Sequence, residues 1–205
     1  LFLYFPVCFS LEEVAMKTVK QTLFQVLTQR LSQGPLILAI DGRAAAGKTT
    51  LAAELQTAFG AAVIHMDDFF LPPELRTEAR LQIPGGNVHY ERFLTEVAPA
   101  LRAGAPISHR KYDCHQGTYA SYLVRQPHTQ LTVIEGSYSL HPRLRALYDM
   151  TVFCTVPPEL QRQRLQARNP AALNAFLTRW IPLEEQYIAA TAPMESCDFV
   201  IFCAE

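Results

Sequence analysis

The sequence predicts an α/β fold, a mostly parallel sheet flanked by helices, on three observations. Apolar runs at 36–40, 62–65, 131–134 and 151–156 are short and bounded by turn or polar residues, as buried strands are. Segments with helical recurrence of apolar residues separate them, the pattern of strand–helix–strand units. At 205 residues the chain is long enough for one domain with a sizeable core.

The elements follow in order. Ser10 and Glu13 have capping-box spacing, and Val19, Leu23, Val26, Leu27 and Leu31 recur at helical intervals until Gly34 and Pro35 stop the helix. Run 36–40 is the first strand. A second helix is expected to start inside the glycine-containing loop that follows and to end near Phe59, closed by Gly60. Run 62–65 is another strand. Residues 69–88 hold Pro72, Pro73, Pro84 and adjacent Gly85 and Gly86, which predicts a long exposed excursion, of a length that is usually functional or disordered. Residues 91–102 return to helical periodicity, and 141–148 also reads as helical. Pro157 and Pro158 suit the first turn of a helix ending at Arg168. A last helix is predicted over 171–190, with Trp180 packing ahead of Pro182, and 199–202 closes as a strand. There is no internal repeat. Residues 1–34 form an N-terminal extension and helix, 35–205 the main body, and the whole is a single domain.

Composition narrows the function classes. Eighteen basic residues against nineteen acidic ones give a net charge of −1, so no basic excess points to nucleic acid. Cys8, Cys114, Cys154, Cys197 and Cys203 are odd in number and contain no C-x-x-C pair, which excludes a disulfide framework and a structural zinc site. Cys154 and Cys203 lie in apolar runs and read as core residues. The apolar stretch 1–9 is too short to span a bilayer and lacks a basic leader and a cleavage site. Met16 offers an alternative start, leaving 1–15 as upstream sequence or a trimmed terminus. A cytoplasmic protein without a membrane partner is the expectation, and a homo-oligomer is compatible with it.

The strongest signal is the stretch Gly42, Arg43, Ala44, Ala45, Ala46, Gly47, Lys48, Thr49, a full G-x-x-x-x-G-K-[ST] match between a predicted strand and a predicted helix. Glycines let the backbone curl so that successive N–H groups face phosphate oxygens, and the helix N-terminus adds partial positive charge. Lys48 would reach the β- and γ-phosphates of ATP, and Thr49 would offer its hydroxyl to Mg²⁺. The D-x-x-G and N-K-x-D elements of GTP-binding switches occur nowhere in the chain.

A kinase also needs a carboxylate near the γ-phosphate to orient or deprotonate an acceptor hydroxyl. Asp67 and Asp68 directly follow strand 62–65, where ligands of open α/β sheets bind. Glu135 and Gly136 follow run 131–134, and a carboxylate there can complete a Mg²⁺ shell begun by Thr49. As structural residues, Asp67 and Asp68 would cap a turn and Glu135 would face solvent. Arg164 and Arg168, four residues apart, share a helix face.

The segments IDGRAAAGKTT, HMDDFFLPP, KYDC and VIEGSYSL, in this order and with these gaps, resemble the uridine kinase-like group of P-loop kinases. Relatives in that group include nicotinamide riboside kinases, pantothenate kinases and phosphoribulokinases. The resemblance spans roughly 36–201. It implies a P-loop NTPase fold with a helical lid, and ATP, Mg²⁺ and a small-molecule alcohol as partners. It makes Asp67 the general base and a neighbour of the metal, with Glu135 a second carboxylate there and Lys48 a catalytic cation. Residues from Gly42 to Thr50, together with Arg164 and Arg168 of the lid helix, would bind nucleotide. Asp68, Phe70, Tyr112, Asp113 and His115 would line the acceptor pocket. The chain departs from the group twice: His89 stands where relatives carry an acidic residue, and Cys114 and His115 directly follow Tyr112 and Asp113. Both departures fall on the acceptor side, so the resemblance leaves the acceptor open. A nucleoside monophosphate kinase, with Arg110 and Lys111 as added basic residues, and a non-catalytic nucleotide-binding module are the alternatives.

Overall fold

The computed structural model of the protein describes residues 11–113 and 116–203. Helix α1 (Leu11–Leu31) leads into strand β1 (Leu36–Gly42), the phosphate loop, helix α2 (Lys48–Phe59) and strand β2 (Ala62–His65). A single 3₁₀ turn, Met66–Phe69, opens the excursion, which carries the short helix α3 (Glu78–Leu81). Helices α4 (Tyr90–Glu96) and α5 (Ala98–Ala103) precede a hairpin of β3 (Ile107–Asp113) and β4 (Thr118–Gln126). Strands β5 (Leu131–Glu135) and β6 (Met150–Thr155) follow, then α6 (Pro158–Arg168), α7 (Leu173–Ala175), α8 (Ile181–Thr191), α9 (Pro193–Ser196) and β7 (Phe199–Phe202).

Five strands form one sheet in the order β2-β5-β1-β6-β7, every pairing parallel. Side chains alternate along each strand, so the sheet presents two apolar faces and needs cover on both. Leu38, Ile40, Val63, Val133 and Val152 enter one cluster with Leu51 and Leu55 of α2 and Leu23 and Leu27 of α1. Ala39, Ile64, Ile134 and Phe153 enter the other with Phe69, Phe93, Ile107 and Tyr187. The N-terminal helix thus packs into the same core as β1.

Strand β1 pairs with β5 on one side and β6 on the other, so the loop at its carboxyl end opens at the centre of the sheet. The crossover from β1 runs to β2 toward one edge and that from β5 runs to β6 toward the other, so the connections part beside β1, where this architecture forms a crevice.

Four expectations need correction. The excursion is exposed only in its middle: Phe69, Leu71, Asn87 and Val88 at its ends are buried, and Phe70 bridges to Val88. Residues 91–102 form two helices that meet at Val97, not one. Residues 141–148 form successive tight turns with one 3₁₀ segment, Arg145–Leu147, closed by bonds three residues apart, although Leu140, Leu144, Leu147 and Tyr148 bury at spacings that also suit one helix face. The helix predicted over 171–190 is interrupted by a π-helical turn, Phe176–Trp180, just ahead of Pro182, which has no N–H to offer the preceding turn. The β3–β4 hairpin has no counterpart among the predicted elements. Its strands are charged and its outer face exposed, so the apolar runs that mark the central strands are missing.

Candidate functional site

The loop's shape follows from its small residues. Gly42 has φ +143, and a Cβ there would lie 1.9 Å from the carbonyl oxygen of Cys154, so only glycine lets β1 enter the loop beside β6. Gly47, at φ 80, closes the loop and caps α2. Ala45 takes a left-handed φ of 58, a conformation that strains any residue with a Cβ. Lys48 is buried, and its Nζ donates to the carbonyl oxygens of Gly42 and Arg43, each at 2.8 Å, and to Ser137 Oγ at 3.3 Å.

A cleft of about 360 Å³ opens over this loop. Ala44, Ala45, Ala46, Gly47, Lys48, Thr49 and Thr50 form its floor. Asp67 and Phe70 come from the turn after β2, Glu135 from the end of β5, and Arg164 and Arg168 from α6. Twelve of the sequence-predicted site residues therefore converge on one space. Gly136, Ser137 and Phe176 complete the walls. Arg168 lies over the Phe176 ring, its guanidinium 5.7 Å from the centroid. A second cavity of about 330 Å³ adjoins the loop and shares Ala45, Gly47, Thr50 and Arg164, with Leu51, Ile201 and Cys154 as apolar walls.

The carboxylates differ in their surroundings. Asp67 stands at the mouth of the cleft, reachable by solvent, yet its crowded position pushes its pKa above the usual range. Desolvation is the main cause; Glu135 and Asp68 add repulsion, while Lys48 and His65 oppose. Glu135 is buried, and its two oxygens lie 3.4 and 3.3 Å from Thr49 Oγ1. His65 Nδ1 approaches Glu135 at 2.5 Å, and this hydrogen bond holds the imidazole's pKa above its ordinary value against the effect of burial. Hydroxyl and carboxylate oxygens are the hard donors Mg²⁺ prefers, so Thr49, Glu135 and Asp67 fit a magnesium held largely through water and phosphate. Among the described residues no cluster of three His, Cys, Asp or Glu side chains is arranged to hold a metal unaided.

Five predicted residues lie elsewhere. Arg43 turns away from the cleft into a two-pronged ion pair with Glu185. Gly42 is the strand end beneath the loop. Asp68 is only 5% exposed and pairs with His109 Nε2 of β3 at 2.8 Å, tying the hairpin to the Asp67 segment. Tyr112 is buried against Tyr119, within 3.3 Å of Arg76. Asp113 accepts from the Gln116 N–H at 3.1 Å. His115, with Cys114, lies outside the described residues.

The residues that sequence reasoning missed lie underneath. Asp41, 1% exposed, accepts from the N–H groups of Gly42, Tyr138 and Leu140 and from the Tyr187 hydroxyl at 2.6 to 2.9 Å. Burial raises its pKa, and the bonds from Leu140, Tyr187 and Gly42 pull it back. Tyr138, one of the residues it grips, has φ 71. Glu184 of α8, also buried, accepts from the Ala44 N–H at 2.7 Å and from Gln161 at 2.9 Å. The available signal was a polar residue closing an apolar strand, and Glu184 with Tyr187 at helical spacing in a segment otherwise read as packing. Cys203 is half-buried rather than core, and its thiol donates to the Ala46 carbonyl at 2.8 Å.

The sheet order and the cleft over its central strand define an α/β fold of the P-loop NTPase class. The fold is shared with a protein described as a possible uridine kinase from Bacillus stearothermophilus, at TM-score 0.63 and 21% identity, covering 88% of this chain and 99% of that one. A protein provisionally assigned as a fructose transport system kinase from Silicibacter matches at TM-score 0.58 and 20% identity, over 90% of this chain and 98% of the other. YFH7 of Saccharomyces cerevisiae, described as a P-loop kinase with a circular permutation, matches at TM-score 0.58 and 11% identity, over 93% and 99%. No protein-family model matches the chain. No helix among the described residues is long and apolar enough to cross a membrane.

Proposed function

We propose that the protein is an ATP- and Mg²⁺-dependent kinase of the uridine kinase-like kind, which phosphorylates a hydroxyl of a nucleoside-like or related metabolite. One observation carries the reading: a single cleft gathers the phosphate loop, Lys48, Arg164 and Arg168 with two carboxylates, Asp67 and Glu135. ATP with Mg²⁺ supplies an activated phosphoryl group whose charge the metal screens. The apolar walls of the adjoining cavity suit the nucleotide base. Lys48 and the two arginines, which clamp phosphoryl oxygens well as a point charge and planar forks, stabilise the charge that develops on transfer. Asp67, with its raised pKa, orients the acceptor hydroxyl and takes its proton. Glu135 and Thr49 hold the metal side. A module that only binds nucleotide has no need of a carboxylate at the position of Asp67.

The test incubates the protein with ATP, Mg²⁺ and panels of nucleosides, vitamins, sugars and nucleoside monophosphates, reading acceptor-dependent ADP release. Turnover confined to a neutral alcohol supports the proposal. Turnover confined to monophosphates replaces it with a nucleoside monophosphate kinase. Tight ATP binding without phosphorylated product from any metabolite pool would make the chain a binding module.

A further inference from the structure

The phosphate loop contains a strained residue, and the structure shows what holds it. Ala45 sits at φ 58, where a Cβ costs of order 1 kcal/mol or more, and such residues persist only when their surroundings over-determine them. Three successive peptide groups are gripped around it, the first from α8 and the next two from α6. Glu184 Oε2, on α8, accepts from the Ala44 N–H at 2.7 Å. Gln161 Nε2, on α6, donates to the Ala44 carbonyl at 3.2 Å, and Arg164 on the same helix donates to the Ala45 carbonyl at 3.2 Å. Gln161 also donates to Glu184 Oε1 at 2.9 Å, so the two clamping side chains fix each other. Glu184 and Gln161 are 5% and 2% exposed, and neither lines the cleft.

We propose that Glu184 and Gln161 are positioning residues that hold the phosphate loop in its strained, nucleotide-ready form. A charged carboxylate is an expensive group to bury, and this one lies within the field of Lys48, which a phosphate chain would share. Leucine would fill the same space without that cost; what leucine cannot do is accept from the Ala44 N–H. The bond fixes the peptide preceding Ala44, and those from Gln161 and Arg164 fix the two peptides on either side of Ala45, so the loop amides stay in one arrangement and binding need not spend energy ordering them. The clamp also joins α6 to α8, the helices that flank the segment carrying Phe176, so this segment and the loop share one anchor.

The inference rests on the loop being a nucleotide site, and the experiment separates the two. Amide hydrogen exchange at 44–46 and calorimetric affinity for MgATP are measured for wild type, Glu184→Ala, Glu184→Gln and Gln161→Ala. Loss of a charged, buried hydrogen bond predicts about a tenfold rise in the MgATP Kd for Glu184→Ala, with faster exchange at 44–46. Glu184→Gln, which keeps an acceptor oxygen, loses less. The discriminating measurement is a double-mutant cycle with Ala45→Gly, since glycine takes this φ without strain. The effect of Glu184→Ala shrinks in that background. Equal losses in both backgrounds, or unchanged exchange and affinity in a folded Glu184→Ala, overturn the proposal. Should Glu184→Ala not fold, Gln161→Ala cuts the same clamp from α6 and is read the same way. Wild type without MgATP affinity would sink the kinase reading, while exchange at 44–46 alone would still decide the clamp.

Discussion

The region around the phosphate loop and the region from Met66 to Gln126 are held together in opposite ways. Around the loop the buried polar groups are saturated: Asp41 takes four donors, Glu184 two, and Lys48 gives three bonds. On the other side, buried polar atoms go unpartnered among the described residues, namely Asn87 Oδ1, Arg92 Nη1 and His109 Nδ1. Arg92 lies between two aromatic rings, Phe69 at 4.4 Å and Tyr119 at 4.8 Å, pairs with Glu96 at 3.0 Å and donates to the Asp68 carbonyl at 2.8 Å. A saturated network resists rearrangement, whereas spare hydrogen-bonding capacity leaves room for a side to be reshaped. On the proposed reading, the saturated side would fix a triphosphate and the other would be free to vary with the acceptor.

The largest expected effect tests whether the loop side suffices alone. Asp67→Asn should lower turnover about 10²- to 10⁴-fold, the usual contribution of a general base, and leave ATP affinity within about threefold. Wild-type turnover on the true acceptor would break the comparison. Next comes a tie within the second region, between the Asp67 segment and the hairpin. Asp68→Ala leaves His109 buried without its partner and should cost about 3 kcal/mol in urea unfolding, the scale of a broken buried pair. A change below about 0.5 kcal/mol, ordinary for a surface site, would show the hairpin to be held by its apolar contacts alone.

A smaller effect is pH-dependent. His141, stacked on Tyr90 across the seam, has its pKa pulled down to about 4 by burial first and by the charges of Arg80 and Arg143, with Glu91 opposing. The unfolded chain binds that proton near pH 6.5, so stability is complete above that value and falls as the pH drops toward 4. About 2 kcal/mol should be lost on this account between pH 7 and 4.5, and His141→Asn should flatten that part of the melting profile. Parallel profiles for the two proteins would rule the histidine out. Smallest is Tyr187→Phe, which removes one of four donors to Asp41 and should cost about 1 kcal/mol by thermal melting. A loss of several kcal/mol would mean that the saturated network is less redundant than its bond list suggests.

The same contrast decided what could be read in advance. Elements defined by short-range chemistry were legible: β2 runs over Ala62–His65 as expected, and α2 ends at a left-handed Gly60. The loop, Asp67, Glu135, Arg164 and Arg168 meet in one cleft because each closes a strand or faces it from one helix. Groups defined by long-range pairing were not. Nothing near Asp68 in sequence announces His109, forty-one positions on, and Glu184 meets Ala44 across one hundred and forty. The β3–β4 hairpin, with its exposed outer face and a register shift between Arg110 and Tyr112, has no apolar run to betray it.

The crowding at Gly42 ties the chemistry to the sheet. With the Cys154 carbonyl 1.9 Å from where a methyl would stand, the first amide of the loop is located by the pairing of two central strands. The loop's origin can therefore move only if β1 and β6 part. A repacking fault deep under Val152 or Ile40 would reach the proposed nucleotide site as a misalignment, with every residue of the loop intact.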